Sequence, residues 1–144
     1  MPTFVLDTNA WLDLLIFRDP ALAGFEDAAR AGALRIAADA RALDELARVL
    51  RYGALRLDEA AARACHATAA AFAVVPPVPS PARLPHCRDR DDQMFLEIAA
   101  GAGACALLTR DAELLRLHRR MSREHGVAIV APARWRDAAQ MSKR

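Results

Sequence analysis

Two short apolar runs, far apart in the chain and each closed by an acid, constrain the fold more than any other feature. Thr3-Phe4-Val5-Leu6 is followed by Asp7-Thr8-Asn9, and Cys105-Ala106-Leu107-Leu108-Thr109 by Arg110-Asp111. Such runs suit strands buried on both faces, as in a parallel sheet packed between layers of helices. In parallel α/β sheets ligands bind at the carboxyl ends of the strands. Carboxylates at two strand ends therefore point to a metal or phosphate site.

The rest of the chain alternates in the same way. Strands are expected at Thr3 to Leu6, Leu34 to Ala37, Ala73 to Val75, Cys105 to Thr109 and Val127 to Val130. Between them the pattern predicts helices from Thr8 to Phe17, from Asp19-Pro20 to Gly32, from Ala40 to Tyr52, and from an Asp58 cap to Phe72. Further helices are expected from Asp91 to Gly101, from Ala112 to Arg120, and briefly after Pro132. Proline at a first turn and glycine after a last turn set several of these limits. The proline-rich stretch from Pro76 to Arg88 reads as a loop, because too little chain follows it to fold alone. Strands alternating with helices predict an α/β fold built on a parallel sheet.

At 144 residues the chain is expected to form one domain, residues 1–144, with a flexible tail from about 139. Its hydrophobic fraction of 54% supplies a core without disulfides or a structural metal. Cys65, Cys87 and Cys105 share no metal-ligand spacing and read as free thiols in a reducing compartment. Acids interrupt the apolar N-terminal stretch, so neither a signal peptide nor a membrane span is expected, and the protein is placed in the cytoplasm. Net charge is only +2, yet residues 116 to 144 hold eight Arg or Lys against Glu124 and Asp137. That part is a candidate polyanion surface, with Arg116, Arg119 and Arg120 as candidate contacts to a nucleic-acid backbone.

Each acid also has a plainer explanation. Asp7 and Asp111 sit where they cap the following helices. A carboxylate at the end of a central parallel strand is costly to bury without a cation, however. Thr8 and Asn9 are placed to hydrogen-bond it or to donate to a phosphate. Asp44 has Arg41 at i−3 and Arg48 at i+4 and reads as a solvated ion-pair residue. Glu45 borders the apolar stripe of Leu43, Leu46, Ala47 and Leu50 instead. In Asp89-Arg90-Asp91-Asp92 one acid, Asp89 or Asp91, serves as a helix cap. Asp92 is in line with Phe95, Leu96 and Ala99, and Asp91 with Met94, Phe95 and Ile98, so spacing does not choose between them. Clustered carboxylates repel one another unless a cation intervenes, and hard oxygen donors without Cys or His suit Mg²⁺ or Mn²⁺. The four histidines show no metal-binding spacing.

These segments together resemble the PIN-domain nucleases, and within them the bacterial toxin components of VapC type. The resemblance runs through Phe4-Val5-Leu6-Asp7-Thr8-Asn9, Leu43-Asp44-Glu45-Leu46-Ala47-Arg48-Val49-Leu50 and Asp89-Arg90-Asp91-Asp92-Gln93-Met94-Phe95-Leu96. It continues through Leu107-Leu108-Thr109-Arg110-Asp111 and ends at Val127-Ala128-Ile129-Val130-Ala131-Pro132. Each piece is weak alone; the ordered set is specific. Arg90 stands where one subgroup has proline, and Ala40 where a small hydroxyl residue often begins the helix. The resemblance implies a three-layer α/β/α sandwich with a mainly parallel five-stranded sheet, and metal-dependent hydrolysis of RNA. It maps the family's four acids onto Asp7, Glu45, Asp92 and Asp111, as catalytic groups and as ligands of one or two Mg²⁺ or Mn²⁺ ions. Asp92 is preferred to Asp91 because it keeps the family's spacing to Gly103. Thr8, Asn9, Asp91 and Thr109 become supporting or substrate-binding candidates. A cognate antitoxin and a homodimer are also implied.

Two other folds place aspartates at strand ends. A phosphoryl-accepting receiver domain would use a lysine at a later strand end, but the sole lysine is Lys143. A haloacid-dehalogenase-like phosphatase would want an acid where Asn9 stands. The rival of a different class is a catalytically inactive PIN-like module that binds RNA or protein without cutting.

Overall fold

A computed structural model describes residues 1–75 and 83–142. Five strands form one sheet: β1 (Thr3–Leu6), β2 (Arg35–Ala37), β3 (Ala73–Val74), β4 (Ala106–Leu108) and β5 (Ala128–Val130). Their order is β3-β2-β1-β4-β5, and every pairing is parallel. The fold is thus a three-layer α/β/α sandwich. The chain steps outward from β1 to β2 and β3, then returns to the other side of β1 as β4. Strand order reverses at β1, which opens a crevice beyond the carboxyl ends of β1 and β4.

Side chains alternate across a strand, and here the alternation sorts the core into two halves. Phe4 and Leu6 of β1 join Ile36, Ala106 and Leu108 on one face, under α1 (Thr8–Leu15), α2 (Phe25–Arg30), α4 (Glu59–Phe72) and α8 (Trp135–Met141). Val5, Ala37, Leu107 and Ile129 point the other way, onto α5 (Gln93–Ala102), α6 (Ala112–Leu115) and α7 (His118–His125). Helix α3 (Ala40–Val49) sends Leu46 to the first half and Ala42 to the second, so it straddles the sheet edge near the crevice. Phe4, Phe25 and Trp135 form an edge-to-face triad with centroids 5.2 to 6.5 Å apart, which fastens α2 and α8 to β1.

Four helices depart from expectation. The helix read as Asp19-Pro20 to Gly32 is a 3₁₀ turn at Pro20–Leu22 and then α2, because Gly24 takes a left-handed φ of 85°. The helix read as Ala112 to Arg120 is α6 followed by α7, which continues to His125. There the N–H of Ile129 donates to His118 Nδ1 at 2.9 Å and ties the helix start to β5. The helix expected to begin at Asp91 starts instead as a 3₁₀ turn, Arg90–Asp92, and α3 stops at Val49 short of Tyr52. Residues 76–82 of the proline-rich stretch lie outside the described residues. From Arg83 onward that loop is stapled by Gln93, whose amide accepts from Cys87 N at 2.7 Å and donates to Pro85 O at 3.0 Å. No described helix is long and apolar enough to cross a membrane.

Candidate acidic site at the sheet crevice

Asp7 lies one residue past β1 and is buried. Oδ1 accepts from Ala10 N at 2.8 Å, which caps α1, and Oδ2 accepts from Thr109 Oγ1 at 2.5 Å. One carboxylate oxygen thus caps the helix while the other joins the end of β1 to the end of β4. The Thr109 hydroxyl also accepts from Asp111 N at 2.9 Å, so one side chain holds the ends of β1 and β4 in register. Asp111 in turn caps α6, with Oδ1 accepting from Glu113 N at 2.8 Å. Glu45 comes from α3 and is fixed by Thr8, whose hydroxyl donates to Oε2 at 2.7 Å.

Asp7, Glu45, Asp92 and Asp111, one from each of four segments, line a single cleft of about 450 Å³ together with Thr8, Asn9 and Asp89. Asp91 faces a neighbouring cleft of about 740 Å³, walled by Arg48, Arg88 and Arg90; Glu45 borders both. Geometry thus separates two aspartates that spacing left tied. Asp89 is the cap of the group, accepting from Asp91 N at 2.9 Å, and it also reaches the acidic cleft. Among the described residues, no Arg, Lys or His lines that cleft.

Electrostatics follow from this crowding. Burial pushes the Asp7 carboxyl above its usual range, the Thr109 and Ala10 hydrogen bonds pull it partly back, and the charges of Asp111 and Asp13 add to the rise. Asp92 is pushed up to about 7, first by burial, then by a hydrogen bond shared with Asp111, then by the charges of Asp89, Asp111 and Asp7. Two carboxyls held close together resist ionising at the same time, so one of them keeps its proton to higher pH. The donor set is all hard oxygen, and a divalent cation would relieve the repulsion that raises both groups. In that sense the residues fit Mg²⁺ or Mn²⁺. As the side chains stand, however, no three His, Cys, Asp or Glu residues among the described ones are grouped so as to hold a metal ion.

A family model described as PIN domain matches residues 3–113, a span that includes all four acids. The chain belongs to the PIN-domain family. No curated protein and no solved structure matches it. Within this PIN domain, other residues sit as follows. Asp44 pairs with neither neighbouring arginine among the described residues, contrary to its helical spacing. Arg41 instead bonds Glu97 at 2.6 Å and Asp39 at 2.8 Å. Arg116 is paired with Glu113 at 3.1 Å and Arg120 with Glu124 at 3.0 Å. Neither they nor Arg119 line the acidic cleft or the arginine-walled one. The cysteines are free, and burial raises all three thiols, Cys105 to about 11, which leaves them poor nucleophiles.

Two features were not singled out in the sequence. Asp13 is buried in the apolar body of α1, where its carboxylate takes both arms of Arg110 at 3.0 and 2.8 Å. This fork anchors the segment that carries Thr109 and Asp111. An acid between Leu12 and Leu14 was the available signal. The other feature is a pair of aromatics, Phe17 and Tyr52, on the rim of the acidic cleft.

Proposed function

We propose that this PIN domain hydrolyses RNA phosphodiester bonds in a divalent-cation-dependent reaction, with Asp7, Glu45, Asp92 and Asp111 holding Mg²⁺ or Mn²⁺. One observation carries the reading: five carboxyl groups from four separate segments, these four and Asp89, line one cleft with no basic side chain among the described residues to balance them. When bound, the cation would lower the pKa of a water and offset charge on the phosphate under in-line attack. The chain's own groups supply the rest. The Thr109 hydroxyl and Ala10 N–H keep the Asp7 carboxylate oriented and favour its ionised form. Thr8 aims Glu45 into the cleft, and Asn9 lines it beside Asp7, placed to donate to a phosphate. Asp91, facing the arginine-walled cleft next door, is placed to act on flanking substrate. The family resemblance extends the reading to a toxin of VapC type, acting as a homodimer in the cytoplasm and held by an antitoxin.

A second reading has its own observation. In the conformation described, no three acids converge as ligands, and that geometry backs a catalytically inactive RNA- or protein-binding module better than it backs a nuclease. The nuclease reading requires the carboxylates that line the cleft to turn toward one another when the ion arrives. Incubation of purified protein with a mixed single-stranded RNA pool in Mn²⁺, Mg²⁺ or EDTA separates the two. The nuclease reading expects cutting in metal that disappears in EDTA and in Asp7→Asn. Intact RNA with folded, antitoxin-free protein in either metal gives the case to the binding module.

A further inference from the structure

The chain contains eight aromatic residues, and six of them are buried or half-buried. The two exposed ones, Phe17 at 58% and Tyr52 at 60%, line the same cleft as the acids. Large rings left in water at one place, while the core takes every other ring, have no folding reason to be there. Two strained backbone positions lie close to the cleft residues. Arg18, directly after Phe17, takes a left-handed φ of 51°, and Arg56, directly after the cleft residue Leu55, one of 53°. Residues with a Cβ adopt that conformation at a cost, and such positions gather around binding sites. Along α3 and the turn that follows it, Glu45, Val49 and Tyr52 succeed one another at i, i+4 and i+7 and all line the cleft. The cleft therefore grades from carboxylates through an apolar floor of Leu12, Val49 and Leu55 to the two rings.

We propose that Phe17 and Tyr52 are a stacking platform that holds unpaired bases beside the acids. The inference rests on the nuclease reading for its choice of ligand. A charged backbone at the acids and a flat apolar base one step away match the gradient of the cleft. A paired base, already stacked in its duplex, cannot present a face to either ring. Protein partners also bury aromatics, but they do not require an aromatic ring in particular.

The test is fluorescence quenching of a 2-aminopurine base in a short single-stranded RNA, beside the same RNA in a duplex, with wild-type protein in EDTA and in Ca²⁺. Quenching is expected with the single strand and not with the duplex. Phe17→Ala and Tyr52→Ala should each raise Kd about tenfold, within the range found for base–aromatic stacking. Phe17→Leu should lose as much as Phe17→Ala, whereas Tyr52→Phe should bind as wild type. Both positions are exposed, so these variants keep the fold. Equal binding of duplex, an unchanged Kd in the alanine variants, retention of binding by Phe17→Leu, or no RNA binding under either condition overturns the proposal. So does a drop in sedimentation mass on substitution, which would assign the rings to a contact between copies. Metal-dependent cutting with ring-independent binding removes the platform and leaves the nuclease; ring-dependent binding without cutting does the reverse.

Discussion

Thr109 does more for the site than its size suggests. Its hydroxyl donates to Asp7 and accepts from the Asp111 backbone, so it joins two strand ends and at the same time favours the ionised form of Asp7. Replacing it with the near-isosteric valine removes the first bond and leaves the Asp111 N–H without its acceptor. Loss of such a bond in a buried setting costs about 1–3 kcal/mol. The sign of the titration shift follows: without its donor, Asp7 is raised further. Carboxyl-carbon NMR of Thr109→Val should show Asp7 titrating at higher pH than in wild type, and the acidic limb of RNA cleavage should move the same way. An unmoved Asp7 titration would show that the hydroxyl acts on packing alone. At this scale the sequence was informative about identity and silent about orientation. Asp7, Glu45 and Asp111 are where strand ends and the α3 stripe put them. Asp91 and Asp92 share one helical pattern; only the family resemblance preferred Asp92, and the 3₁₀ turn Arg90–Asp92 sends one to each cleft.

At the scale of elements, α1 and the segment after β4 are joined by the Asp13–Arg110 fork. Asp13 is nearly inaccessible, its side chain 4% exposed, while Arg110 is 59% exposed. An ion pair with one buried partner is not equivalent to a surface pair. Removing the arginine would strand a buried carboxylate that burial already raises above its usual range. Asp13→Ala instead leaves Arg110 free to turn to water. It is expected to cost about 1–3 kcal/mol and to loosen the Thr109–Asp111 segment. Thermal unfolding and hydrogen exchange at Arg110 and Asp111 measure the two effects; unchanged exchange there would mean that the fork does not position the site. The element pattern was legible wherever an apolar period ran uninterrupted, as in β1, α4 and β4. It failed where a local constraint cut the period, at Gly24 between Pro20–Leu22 and α2 and at Leu117 between α6 and α7. Asp13 escaped notice because its only sequence signal is an acid in an apolar helix, and its partner lies 97 positions away.

For the whole molecule, the acidic crevice opposes folding stability at neutral pH. Asp92 has a folded-state pKa raised to about 7 from an ordinary 3.8, so between those values the folded protein holds a proton that the unfolded chain has lost. Its contribution to stability is full below about pH 4 and is lost as pH rises through about 7. Asp92→Asn keeps the shape and removes the titration. Its melting temperature should rise relative to wild type as pH goes from 4 to 8, and parallel curves would refute the assignment. The three-layer sandwich and its five-stranded sheet were legible because strand and helix periods alternate along most of the chain. The rims of the clefts were not, since the exposure of Phe17 and Tyr52 depends on turns that sequence spacing does not specify.

The central claim is that carboxyl groups from four segments act together on a divalent cation, and Mn²⁺ binding followed by electron paramagnetic resonance tests it most directly. Wild-type protein near pH 7.5 should bind Mn²⁺, with binding abolished in Asp7→Asn, weakened in Asp92→Asn, and weakened in wild type as pH falls below 7 and Asp92 takes up its proton. Folded wild-type protein that binds no Mn²⁺, or Mn²⁺ binding indifferent to Asp7→Asn, would contradict the account.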